Sequence, residues 1–217
     1  MSVRLSRRLL LFLCFISLSC LTALPALAQE PRSDVAIGGQ GVYFFTSSSS
    51  TTTTESSISG GGVASYRLRV RGHSSAELSY GYSRSTFYYY VNEQAVGGGN
   101  IFLNQQGSFH QFTAAYVYNF SPWHHLPKVH PFVLGGGGLA LFRPISNTTN
   151  TVVGAATQGK GAILYGGGID YPLFKAFSLR VQYRGLLIKA PDFWGAGLTA
   201  GSRMNIAAPS AQLVFHF

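Results

Sequence analysis

The chain has 217 residues and a formal charge of +9, and it is 46% hydrophobic but only 11% charged. Soluble domains carry roughly 25% charged residues, so this composition argues against an ordinary water-facing exterior. Beyond position 28 no run approaches the ~18 apolar residues of a membrane-spanning helix, and no Lys/Arg run supports nucleic-acid binding.

Residues 1–28 read as an export signal peptide. Arg4, Arg7 and Arg8 supply a basic start, "LLLFLCFISLSCLTALPALA" an apolar core, and Ala26-Leu27-Ala28 a small-x-small cleavage site ahead of Gln29. An uncleaved anchor fits less well, because Pro25 stands beside a good cleavage site. A lipoprotein cut before Cys20 fits less well again, because Ser17 occupies the position where leucine is expected. Cys14 and Cys20 both leave with the signal, so the domain 29–217 must hold together without disulfides.

From there the chain alternates with period two, the pattern of strands with two unlike faces. In "ASYRLRVRG", Ala64, Tyr66, Leu68 and Val70 oppose Ser65, Arg67, Arg69 and Arg71. "SAELSYGYS" and "FSLRVQYR" do the same, and the last strand sets Ala211, Leu213, Phe215 and Phe217 against Gln212, Val214 and His216. Eight strands are predicted, over 34–45, 62–71, 75–86, 108–120, 130–142, 160–171, 177–188 and 204–217. Long polar connections alternate with short turns at 72–74, 121–129 and 172–176. The Ser/Thr run 47–57 reads as a solvated, mobile tip. The pattern predicts an all-β, eight-stranded antiparallel up-and-down barrel.

Alternation does not say which face is outside. A soluble lipocalin-like barrel would bury the apolar face around a ligand, and a membrane barrel turns it to lipid. Aromatics near strand ends (Tyr43, Phe45, Tyr118, Phe120, Phe132, Tyr171 and Phe177) suit an interfacial girdle and favour a transmembrane barrel. The closing "QLVFHF", with "PFVLGGGG", "YGGGIDYPL" and "LRVQYRGL", resembles segments of the small bacterial outer-membrane β-barrels typified by the OmpA membrane domain and OmpX. That resemblance covers about 33–217. It implies a place in the bacterial outer membrane, contact with outer-membrane lipid and lipopolysaccharide, and insertion by the barrel assembly machinery. It further implies that Leu213, Phe215 and Phe217 form the assembly signal, and that the long extracellular loops carry a structural or surface-interaction role with an unknown ligand.

Constellations that suggest chemistry are thin. "GAATQGKG" matches a phosphate loop up to Lys160, but Gly161 stands where Ser or Thr should hold magnesium, and a strand follows. His124, His125 and His130 crowd one turn without a cysteine or carboxylate to complete a metal site. Ser108 and His110 share a strand face, with Asp192 in a loop. The deacylase-type pattern of lipid-modifying barrels is absent, so no enzyme and no cofactor is expected.

The inward positions are better supported: Arg67, Arg69, Arg71, Glu77, Asp170, Arg180, Gln182 and Arg184 form a polar interior network. Charges inside a narrow barrel must be paired or hydrated. The turn at 72–74 predicts Arg69 opposite Glu77, and the turn at 172–176 brings Asp170 near Arg180. A plugged interior is expected. The alternative is a small pore, leaning to anions because arginines outnumber carboxylates.

Overall fold

Period-two sequence becomes ten strands in the computed structural model, which describes residues 33–45, 47–48, 52–91, 101–122, 128–145, 156–191 and 203–217. They are β1 (Ser33–Phe44), β2 (Ser47–Ser48), β3 (Thr52–Ser56), β4 (Ser59–Arg71), β5 (Ser74–Val91), β6 (Ile101–Asn119), β7 (His130–Pro144), β8 (Gln158–Phe174), β9 (Phe177–Lys189) and β10 (Arg203–His216). Eight of them close an antiparallel ring in the order β1-β4-β5-β6-β7-β8-β9-β10 and back to β1. Residues 1–32, with the expected cleavage pair Ala28 and Gln29, lie outside the described residues. So do His124, His125 and Asp192.

The closing seam explains the aromatic ending. Asp34 pairs with His216 and Ile37 with Leu213 along β1 and β10. Phe217 donates its backbone N–H to the Ser33 carbonyl at 3.0 Å and accepts from Ser33 at 3.2 Å. The last residue is therefore held in the ladder, and the ring has no free edge.

The apolar alternating face points outward. Ile37, Val70 and Ile163 are 68%, 66% and 66% exposed, while Ser65, Arg67, Glu77 and Arg180 are buried. This arrangement leaves no lipocalin-like reading, because the exposed belt is the greasy one. Tyr43, Phe45, Tyr118, Phe120, Tyr171 and Phe177 stand on that outer face as expected. Phe132 does not. It is only 2% exposed and lies inside, because the inward parity of β7 runs through Phe132, Leu134 and Ala140.

Two segments expected to be loops are strand. β5 and β6 form an 18- and 19-residue hairpin arm that carries "FYYYV" and "IFLNQQ" past the apolar belt, with Val91 opposite Ile101. Aromatic and β-branched residues favour that extended state even outside the membrane. The Ser/Thr run is also not a structureless tip: β3 pairs with β5 from Thr52↔Val91 to Ser56↔Phe87. β4 ends its pairing with β5 at Gly61↔Ser83, so β3 covers the edge that β5 would otherwise leave bare.

The β4–β5 turn corrects the expected register. The turn holds only Gly72 and His73, with Gly72 in the left-handed region at φ 51° and Arg71 opposite Ser74. That shortening by one residue would put Glu77 on the wrong face. A bulge between Arg69 and Arg71 restores the parity and moves the pairing on by two, so Arg67, not Arg69, lies opposite Glu77. Arg69 instead faces Ser75, and both Arg69 and Arg71 are exposed at the turn end.

Candidate functional site

Because a strand presents every second residue to one side, the sequence chooses which chemistry fills the lumen at each height. Toward the short turns the inward positions are charged. Glu77 on β5 accepts from Arg67 Nε at 3.0 Å and Arg67 Nη2 at 2.7 Å, and from Arg184 Nη2 at 3.0 Å. Arg180 Nη1 stands 3.8 Å from the same carboxylate. Asp170 accepts from Arg180 Nε at 2.7 Å and Nη2 at 3.0 Å, and from Arg67 Nη1 at 3.3 Å. Arg180 also donates two 3.2 Å bonds to Asp34. Gln182 and Ser79 complete the set, donating to Glu77 at 3.4 Å and accepting from Arg184 at 2.7 Å.

The geometry brings Arg67, Glu77, Asp170, Arg180 and Arg184 into one network spanning β4, β5, β8 and β9. Arg69 is not in its centre but at the turn-end mouth, where it lines a pocket of about 270 Å³ with Lys175, His130 and His216. Two members were missed from sequence. Asp34 opens the inward series of β1 that continues through Ala36 and Gln40, so alternation alone could have found it. Phe132 lies with its ring centroid 4.3 Å from the Arg67 guanidinium carbon, a cation–π contact that covers the network from β7. Glycines opposite make the room: a Cβ on Gly166 would meet the backbone carbonyl of Tyr183, beside Arg184.

Charge balance follows from the corrected membership. Arg67, Arg180 and Arg184 face Asp34, Glu77 and Asp170, so the buried core is neutral as a set. The excess of arginine that suggested an anion-leaning lumen sits at the exposed mouth instead.

Toward the long loops the lumen turns apolar, which the reading of a wholly polar interior did not anticipate. Phe44, Phe87, Phe109 and Phe142 are all at most 1% exposed. Phe44 lies 5.1 Å from Phe87 and 5.2 Å from Phe109 between ring centroids, and Phe109 lies 5.0 Å from Phe142. Leu186, Ile188, Met204 and Ile206 pack around them. Between the two layers Gln111 donates to Gln40 at 2.6 Å. Among the described residues, Gln40 Nε2, Ser83 Oγ and Gln111 Oε1 in this seam have no protein hydrogen-bond partner.

Other candidates fall apart in three dimensions. Ser108 donates weakly to the Arg143 carbonyl at 3.4 Å, while His110 Nδ1 meets the Tyr80 hydroxyl at 2.9 Å on the outer face. Among the described residues no hydrogen bond joins either of them to a carboxylate. Among the described residues no group of three His, Cys, Asp or Glu could hold a metal ion. Lys160 and Gly161 lie within β8, not at a helix start.

Known proteins agree with this architecture. The profile described as "Outer membrane protein beta-barrel domain" matches residues 12–208. No curated protein matches the sequence. Among solved structures the fold is similar to Neisserial surface protein A, with a TM-score of 0.57 and 13% identity, covering 87% of this chain and 99% of that one. It is similar also to OprG of Pseudomonas aeruginosa (TM-score 0.52, 12% identity, 87% and 97% covered). Ail of Yersinia pestis, solved with the heparin analogue sucrose octasulfate, gives a TM-score of 0.50 at 13% identity with 86% and 100% covered. The profile spans most of the chain, the ring is closed, and its apolar face is outside: the protein belongs to the outer membrane protein β-barrel domain family and resides in the bacterial outer membrane.

Proposed function

We propose that the protein is a non-conducting outer-membrane scaffold that presents its long loops to the cell exterior. The observation that supports this reading is the packing of the lumen among the described residues, with the neutral ion network toward the short turns and the phenylalanine layer toward the long loops. Function then rests with the loops, where a rigid barrel holds a recognition surface. The test is conductance in planar bilayers. The purified barrel is expected to give no sustained channel, and stable ohmic steps that scale with protein would overturn the reading.

Biogenesis follows the same logic. We infer cleavage between Ala28 and Gln29 and reading of Leu213, Phe215 and Phe217 by the assembly machinery. The outward placement of all three supports it, as does the contact of Phe215 with Phe177 at 5.3 Å. Deleting Phe217 should sharply lower outer-membrane yield in cells, with a mature mass that begins at Gln29. Refolding in detergent should suffer much less, because one apolar side chain is worth only about 1.5–3 kcal/mol of burial. Equal losses in both assays would make the residue a stability element and not a signal.

A further inference from the structure

Pro209 stands in the middle of β10, opposite Tyr183 of β9. A proline within a sheet belongs at an edge, because it has no N–H to give the ladder. A closed ring has no edge, so the missing donor must fall on one of the two seams of β10. Parity names the seam. Ser33 and Phe217 exchange both backbone bonds, and Phe45 donates to Asn205 further along the same pair of strands. Bonded pairs recur at every second residue of an antiparallel ladder, so Gly41 and Pro209 belong to that set. Gly41 therefore faces a residue that cannot donate. The β1–β10 pairing is continuous from Asp34 to Gln40, skips Gly41 and Val42, and resumes at Tyr43↔Ala207. The seam of β1 with β4 runs unbroken through both residues.

The wall on either side of this break is unlike the rest of the barrel. On the outer face Gly39, Gly41, Gly60, Gly62 and Ala211 present no large side chain to lipid, whereas nearby the belt carries Ile37, Tyr66 and Leu213. A Cβ on Gly41 would touch the Pro209 ring at 3.7 Å. On the inner face Gln40 and Ser210 stand directly opposite each other, one residue from the break. Gln40 and Gln111 are 5% and 1% exposed, and Gln111 donates to Gln40 Oε1 at 2.6 Å. Gln40 Nε2 is then left as a donor and Gln111 Oε1 as an acceptor, both without a protein partner among the described residues. A single hydroxyl satisfies the pair, accepting from the first and donating to the second.

We propose that β1 and β10 part reversibly at Gly41–Pro209 to form a side entrance from the bilayer, and that its ligand is an uncharged amphiphile with a hydroxyl head and an apolar chain. The hydroxyl seats on Gln40 and Gln111, and the chain lies across the smooth glycine surface outside. A charged head is excluded, because the way in crosses the apolar belt. The entrance ends at mid-lumen, between the ion network and the phenylalanine layer, so its failure would leave the scaffold reading untouched.

The test places the mature barrel, which has no cysteine of its own, in phospholipid nanodiscs with Ser210→Cys as a near-isosteric probe. A long-chain alkyl maleimide dissolved in the bilayer is expected to label this variant at least tenfold faster than Ser65→Cys, a buried inward position on β4 away from the break. Adding Pro209→Ala restores the donor and should slow that labelling about tenfold, the worth of one ladder bond. Decanol should protect the probe, and decane should not. Equal labelling of the two cysteine variants, or labelling undiminished by Pro209→Ala, overturns the entrance. A charged, water-borne maleimide that reacts faster than the alkyl reagent shows access from the barrel mouths and overturns it too. Equal protection by decane, or none by either compound, overturns the hydroxyl ligand. Amide exchange needs no cysteine: Tyr43 and Ala211, which flank the break, should exchange about tenfold more slowly in Pro209→Ala than in the unsubstituted barrel, and no slowing counts against the parting of the seam.

Discussion

Glu77→Gln is expected to lower the unfolding free energy of the barrel by about 3–5 kcal/mol, the cost of leaving buried charge without its partner. The carboxylate receives Arg67 and Arg184 at 2.7 and 3.0 Å and has Arg180 at 3.8 Å, all at most 3% exposed. Glutamine keeps the shape but removes the charge and turns an amide N–H toward guanidiniums. The corrected register names the partner to use in a double-mutant cycle. Glu77→Gln with Arg67→Met should cost less than the two singles together, with a coupling of about 0.5–3 kcal/mol. The same cycle with Arg69, which faces Ser75 at the exposed mouth, should show little coupling. Urea unfolding in lipid vesicles or micelles reads both. Coupling to Arg69 and none to Arg67 would mean that the bulge at the β4–β5 turn is absent and the pairing has slid by two.

Phe44→Ala is expected to cost about 3–5 kcal/mol, as for other large aromatic truncations in packed cores. Its ring meets Phe87, Phe109 and Phe142 at 5.1, 5.2 and 6.2 Å, so its loss opens the centre of the layer. The neighbouring Phe45 supplies the control. It is 43% exposed on the outer face and packs edge-on against Tyr43, so Phe45→Ala should cost clearly less. Bilayer recordings add a second readout. If the phenylalanine layer is the stopper, Phe44→Ala should admit brief conducting events that Phe45→Ala does not. A larger cost at Phe45 than at Phe44 would show that the two faces of β1 have been exchanged.

Alternation in ASYRLRVRG, SAELSYGYS and FSLRVQYR was enough to establish strand existence and to put Arg67, Glu77, Arg180 and Arg184 on the polar faces, and the aromatics near the strand ends turned those faces inward. A two-residue period is a local property that needs no knowledge of neighbours. The same parity was available for Asp34 and Phe44 in β1, where flanking glycines thin the pattern and hide it. The β4–β5 register was not legible. It depends on whether the β4–β5 connection uses two turn residues or three, and on a bulge whose benefit appears only once Glu77 must meet arginines across the ladder. Nor was the position of Phe132: an aromatic near a strand end reads as a girdle residue until the lumen charges it covers are in place.

By itself, then, the sequence determined an eight-stranded barrel with a greasy outside and an aromatic closing strand, because composition and period are written residue by residue. Only the tertiary structure decided that the buried charges balance and that phenylalanines stopper the loop half. It also decided that β3 guards the edge of β5. Each of these is a relation between strands distant along the chain, created when the ring closes and the register is set.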